Sequence, residues 1–259
     1  IPQLRDCLNR VNRAKHFTII HLHFFKPVRF YYGVWLQSKL APIPVTVRVG
    51  IVHPRAGFRD NESRHIRALS KIAMQFAPAN SVWYMSNAVR ESHESTWEVD
   101  LTRYPLVRMS LSKTKRVSPP FQYADRIRIC SVGRLVSFKA YNNGAPSIVR
   151  HLLEKRVNVQ WDIFGNGPCE PEIRSEIQRN NVGDRVRLMG ELEYERLDET
   201  IAGYDIFVGM GTAALEAAAL GIPTIIMLDS KPDRAAGFLY QAPEDCIGEI
   251  GKDINEVAV

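Results

Sequence analysis

The sequence predicts an α/β protein whose second half is a parallel β-sheet with helices on both faces. Two patterns predict this, and a third divides the chain. From residue 126 onward, apolar strand-like runs alternate with helix-like stretches, the spacing that parallel sheets with crossover helices require. The runs close on glycine-bearing turns such as Gly133-Arg134, Gly165-Asn166-Gly167-Pro168 and Gly190, which punctuate strand ends. Charge is split along the chain: residues 1–125 carry 19 Lys/Arg against 8 Asp/Glu, and residues 126–259 carry 15 against 20. Opposite balances in two segments predict two domains with different partners, 1–125 and 126–259.

The strands of the second half are expected at 126–132, 157–164, 185–189, 204–208 and 223–227. Helices are expected at 146–155, 170–180, 193–202 and 213–220. In the first half, 17–22, 45–49 and 81–85 read as strands. Helices follow at 61–76 and from 87. Residues 110–124, polar, basic and broken by Pro119-Pro120, read as a linker. The 259 residues suffice for two α/β domains, or one and part of another. Ile1-Pro2-Gln3 lacks an initiator Met and a signal pattern, so the chain is expected to begin inside a longer protein. Asp253–Val259 reads as an interrupted helix.

Composition narrows the function classes. No uninterrupted apolar run approaches the ~18 residues of a spanning helix. Cys7, Cys130, Cys169 and Cys246 lie far apart without a CxxC pair, which disfavours structural zinc and suits a reducing compartment. The basic first half suits an anionic membrane surface, a phosphate-bearing acceptor or nucleic acid. Its aromatic and basic residues form no recognised nucleic-acid module.

Ligands of parallel sheets sit beyond the carboxyl ends of the strands, so the loops there hold the candidates. Gly209-Met210-Gly211-Thr212 joins a strand to a helix, where backbone amides can approach phosphate oxygens. A plain turn with Thr212 as helix cap satisfies the same residues. Glu216 stands among small apolar residues in Ala213–Leu220. A carboxylate so surrounded needs a hydrogen-bonding partner, and a pair of sugar hydroxyls is one. Arg134 and Lys139 flank the first strand-to-helix loop, where two cations can grip a diphosphate. His21, His23 and His53 follow first-half strands, and Arg48, Arg55 and Arg59 cluster about His53.

Val132-Gly133-Arg134-Leu135-Val136-Ser137-Phe138-Lys139, Phe164-Gly165-Asn166-Gly167-Pro168 and Gly209 through Pro223 resemble successive motifs of the GT-B glycosyltransferases of the large retaining family 4. The likeness covers about residues 126–235. It implies two Rossmann-like domains facing a central cleft, an incomplete acceptor-side domain at 1–125 and a donor-binding domain at 126–259. It also implies that Gly133, Arg134 and Lys139 hold the donor diphosphate and that Glu216 holds the ribose. The backbone around Gly211 and Thr212 approaches the phosphates, the segment at Leu188 borders the base, and Gly165 belongs to the donor-binding set. His53 is the preferred match for a first-half histidine near the sugar, which makes Arg134, Lys139 and His53 the expected catalytic set.

The implied reaction moves a sugar from a UDP- or GDP-sugar to a glycan or lipid-linked hydroxyl, with retention and without metal or other cofactor, in cell-surface glycan synthesis. The expected setting is cytoplasmic, with peripheral membrane contact and no nucleic acid. The family usually has a second glutamate eight positions before the ribose-binding one, where this chain has Val208. Two alternatives remain: a nucleotide-sugar epimerase or hydrolase, and a non-catalytic nucleotide-sugar-binding subunit.

Overall fold

The computed structural model describes residues 2–15, 20–23, 32–35, 39, 45–48, 50–51, 64–107, 111, 125–242, 247–248 and 257–258. The chain divides into two compact units, Ile1–Arg108 and Met109–Val259.

The first unit opens with helix α1 (Pro2–Lys15), an element not expected from the sequence. Strand β1 (Ile20–His23) pairs in parallel with β2 (Val45–Arg48), and β3 (Gly50–Ile51) pairs in parallel with β4 (Val82–Trp83). Helices α2 (Arg64–Phe76) and α3 (Asn87–Trp97) pack together over Ala73, Met74, Val82, Tyr84, Val89, Trp97, Leu101 and Tyr104. Ser86 starts α3, its hydroxyl accepting from the Val89 amide at 3.2 Å, as an N-cap does.

The second unit is built on one seven-stranded sheet. Its strands are β5 (Ile127–Val132), β6 (Val159–Phe164), β7 (Val186–Gly190), β8 (Ile206–Gly209), β9 (Thr224–Met227), β10 (Arg234–Phe238) and β11 (Val257–Ala258). They lie in the order β11-β10-β9-β8-β5-β6-β7. From β7 to β9 all pairings are parallel, whereas β10 runs antiparallel to both β9 and β11. In sequence order the five parallel strands read 3-2-1-4-5. That is a doubly wound sheet whose winding reverses between β5 and β8.

Side-chain alternation along these strands feeds two cores. Ile129, Trp161, Ile163, Val208 and Met227 meet Ile148 and Val149 of α4 (Tyr141–Glu154) and Ile173 of α5 (Glu170–Arg179). On the other face, Cys130, Phe164, Phe207 and Ile226 meet α6 (Leu197–Ile201) and α7 (Thr212–Ala219). Strands covered on both faces are apolar along most of their length, which is why the sequence shows them as runs.

Three local expectations are revised. Helix α4 begins at Tyr141, five residues before Pro146, because burial of Tyr141, Asn142 and Ala145 outweighs the backbone bond that an internal proline removes. The expected helix at 193–202 is split into a 3₁₀ turn, Tyr194–Arg196, and the short α6. Val257–Ala258, read as the end of a helix, is an edge strand registered with Arg234–Ala235. Among the described residues no helix is long and apolar enough to cross a membrane.

Candidate functional site

Strands β5 and β8 lie side by side, yet the chain leaves them in opposite directions across the sheet. In doubly wound sheets such a reversal opens a crevice beyond the carboxyl ends of the strands, where ligands are taken. The loops at those ends here are Gly133–Lys139 after β5 and Gly209–Thr212 after β8, which are two of the loops carrying the predicted residues.

The first loop folds back on itself. A Cβ built on Gly133 would stand 2.3 Å from Lys139 Nζ, so the ammonium lies directly over the end of β5. Burial pushes the Lys139 pKa below the ordinary lysine value, and Arg134 beside it pushes the same way. Among the described residues neither cation is paired with a carboxylate. Two cations held close, one of them half-buried, can meet an anion with more than one charge.

A buried chain of hydrogen bonds anchors this loop from below. Trp161 Nε1 donates to Ser131 Oγ at 3.2 Å, and Ser131 Oγ donates to Asn142 Oδ1 at 3.1 Å. Asn142 Nδ2 then donates to the Lys139 carbonyl at 3.4 Å. Sequence reasoning missed this support; its one visible signal was a polar pair, Asn142-Asn143, just after the loop.

The loop after β6 closes the flank. The Leu135 amide donates to Asn166 O at 2.8 Å, and the Gly133 amide donates to Phe164 O at 2.9 Å. A side chain has no room there: a Cβ on Gly165 would lie 2.0 Å from Gly133 O, and one on Gly167 2.3 Å from Leu135 O. Gly165 therefore supports the first loop by letting two backbones touch. Leu188 packs its side chain against the core, so the following residues, Met189 to Tyr194, form the exposed continuation of that edge.

The second loop turns through Gly211, whose φ of 71° and ψ of −151° belong to a region that glycine alone occupies readily. Its amide donates to Ile247 O at 2.7 Å, so in this structure that N–H serves the backbone. Thr212, exposed, begins α7, and the first amides of a helix have no acceptor within it. One turn on, Glu216 is only 6% exposed among Ala213, Ala214 and Ala217. Its Oε1 accepts from Tyr194 Oη at 3.1 Å. Tyr194 does not stand out in the sequence; an aromatic in the otherwise polar Glu193-Tyr194-Glu195-Arg196 run was the only signal.

The first-half expectations stand apart. His53, Arg55 and Arg59 lie outside the described residues. His21 pairs with Thr46 and His23 with Arg48 in the backbone register of β1 and β2. Val208, at the position of the family's second glutamate, is a 1% exposed core residue. Among the described residues no three His, Cys, Asp or Glu side chains gather as a metal site.

Comparison with known proteins singles out the same unit. Residues 113–232 match the family described as Glycosyl transferases group 1. EpsF of Bacillus subtilis (strain 168), whose name assigns it to the glycosyltransferases, is 30% identical over 126 residues, 45% of this chain and 32% of its own. A component of the human phosphatidylinositol N-acetylglucosaminyltransferase is 28% identical over 134 residues, 49% of this chain and 26% of its own. The chain therefore spans about a third or less of these curated relatives. Among solved structures, the pneumococcal O-GlcNAc transferase GtfA, in complex with UDP and GlcNAc, aligns with a TM-score of 0.57 at 13% identity. That alignment covers 85% of this chain and 44% of GtfA. The fold is that of the GT-B glycosyltransferases.

Proposed function

We propose that the protein transfers a sugar from a nucleoside diphosphate sugar, a UDP- or GDP-sugar, to a hydroxyl acceptor, and that Met109–Val259 is its donor-binding part. What supports the reading is topology: the loop with Arg134 and Lys139 follows β5 and the helix with Glu216 follows β8, the adjacent strands between which the winding reverses. Two cations with no carboxylate partner among the described residues suit a diphosphate, and the buried carboxylate of α7 suits the ribose hydroxyls. The match of residues 113–232 to a glycosyltransferase family supports the same assignment.

The chemistry that these groups can perform is charge stabilisation. As the bond from the sugar anomeric carbon to the diphosphate oxygen breaks, negative charge grows on the leaving phosphate. Arg134 and Lys139 offset that charge. The acceptor oxygen bonds to the anomeric carbon on the same face, and its proton passes to the departing phosphate oxygen. Configuration is retained, and the two cations take the part that a metal plays elsewhere. His53 belongs to this proposal as the first-half group near the sugar, and Gly133, Gly165, Gly211 and Thr212 as backbone around the phosphates.

The acceptor in this reading is a glycan or lipid-linked hydroxyl, met at an anionic membrane surface by the basic residues of 1–125. The test is calorimetry of the protein with UDP, GDP, ADP and their sugars. One nucleoside diphosphate should bind, and Arg134→Ala with Lys139→Ala, or Glu216→Ala alone, should abolish that binding without unfolding the protein. Unchanged affinity in these variants would overturn the site. Turnover with a bound donor, surviving a chelator and giving the donor's own anomer by NMR, tests the mechanism.

A further inference from the structure

We infer that Tyr194 is a positioning and specificity residue of this donor site, holding the Glu216 carboxylate in the orientation that selects a ribonucleotide over its 2′-deoxy form. The inference rests on the reading of Glu216 as the ribose ligand, and Tyr194 lies outside the three family-like motifs.

Three observations carry it. Glu216 is buried in a helix of small residues, and its carboxylate meets the Tyr194 hydroxyl at 3.1 Å. Tyr194 is 64% exposed although its hydroxyl touches a buried acid. An aromatic ring left in water with only its tip engaged is poorly explained by packing. It is well placed to border whatever approaches the carboxylate. Third, Tyr194 opens the 3₁₀ turn that follows β7, the strand beyond β6 at the edge of the sheet. The hydrogen bond thus joins the turn after β7 to α7, the helix that follows β8, across a sequence separation of 22 residues.

The chemistry is specific. An ionised carboxylate only accepts hydrogen bonds and offers about four lone-pair positions. A tyrosine hydroxyl donating to one oxygen fixes the plane of the group, so ribose 2′ and 3′ hydroxyls meet acceptors already aimed. Removing that donor loosens the plane of the carboxylate, and the contact most sensitive to its angle is the paired one to both hydroxyls. A deoxyribose makes one such contact and gains less from the alignment.

The experiment titrates the whole chain with UDP and 2′-deoxy-UDP, and with GDP and 2′-deoxy-GDP, by calorimetry. The wild type, Tyr194→Phe, Tyr194→Ala and Glu216→Gln are compared. The expected result is a wild-type preference for the ribonucleotide. Tyr194→Phe should weaken ribonucleotide binding by roughly tenfold, the scale of one hydrogen bond to a charged group. It should leave deoxy binding nearly unchanged, so that the ratio of the two affinities collapses. A general loss of structure would weaken both ligands alike and leave the ratio standing, and that outcome overturns the inference. So does a Tyr194→Phe variant with wild-type affinities. Failure of the donor reading looks different: no nucleoside diphosphate binds the wild type, or Glu216→Gln keeps the full ribonucleotide preference. A wild type that binds but does not discriminate removes the ribose role of Glu216 and this inference with it.

Discussion

Lys139 is asked to be charged where charge is costly. Its ammonium lies over the Gly133 backbone beside Arg134, and burial and that neighbour both lower its pKa. The sign follows from linkage: the protonated lysine is disfavoured in the folded protein, so its penalty on stability is present at neutral pH. The penalty is relieved as pH rises through the lowered pKa towards the unfolded value. Binding an anionic diphosphate reverses the balance by favouring the protonated form. Nucleotide affinity should therefore fall on the alkaline side as Lys139 loses its proton. In Lys139→Arg, whose cation does not titrate there, the fall should be absent when affinity is measured across the same pH series. Equal alkaline limbs in the two proteins would show that Lys139 does not contact the ligand. Gly165 gives the steric counterpart. Alanine there drives a Cβ to 2.0 Å from Gly133 O, with φ already at +138°. Gly165→Ala should lose roughly 1–3 kcal/mol in chemical denaturation. It should also weaken nucleotide binding, because the displaced atoms belong to the loop that carries Arg134 and Lys139.

Between β6, β7 and the turn before β8, one buried acid joins elements that the hydrophobic pattern alone would only stack. Asp162 accepts from Arg187 Nε and Nη2 at 2.8 and 2.6 Å, from Tyr204 Oη at 2.7 Å and from Gln160 Nε2 at 3.1 Å. Burial by itself would raise the Asp162 pKa. The hydrogen bonds from Arg187, Tyr204 and Gln160 outweigh it and hold the carboxyl below its ordinary value. Its contribution to stability is therefore present above the ordinary aspartate pKa and fades as pH falls through the lower folded value. Asp162→Asn should cost about 1–3 kcal/mol by urea denaturation at neutral pH. The lower end is favoured, since Arg187 keeps 47% of its side chain exposed and can return to water. The loss should shrink in acid; a constant loss down to about pH 3 would mean that the charge of Asp162 is immaterial. The same acid marks the limit of reading from sequence. Parallel strands showed as apolar runs because both faces are buried, and the loops after β5, β6 and β8 showed through their glycines. Asp162 stood inside one such run, and its partners Arg187 and Tyr204 lie 25 and 42 residues away. The start of α4 was hidden by Pro146, β10 by its small, glycine-interrupted Arg234–Phe238 run, and β11 by its two-residue length. Arg134, Lys139 and Glu216 drew notice through their loop and helix contexts. Tyr194 and Asn142 did not, because their roles arise from contacts across the fold.

Charge on the scale of the whole molecule runs opposite to charge in the site. Residues 126–259 carry more Asp/Glu than Lys/Arg, yet the loop after β5 in that part carries Arg134 and Lys139 side by side. In the proposed function an anionic nucleotide is thus drawn by two local cations, one of them half-buried, and not by the general field of that segment. Residues 1–125 are the reverse: 19 Lys/Arg against 8 Asp/Glu give a broad positive balance, the kind that acts through solvent and is screened within a Debye length. The two contacts should therefore part company in salt. Raising ionic strength from about 0.05 M to about 0.5 M shortens the Debye length several-fold. It should release the protein from vesicles containing anionic lipid while nucleotide affinity falls far less, since buried contacts are screened weakly. Flotation and calorimetry on the same samples make the comparison. Protein that ignores anionic vesicles even at low salt would remove the membrane surface from the proposed acceptor side and leave the donor site untouched. Nucleotide affinity as steep in salt as vesicle binding would instead show that Arg134 and Lys139 act from the surface, against the half-buried geometry of Lys139.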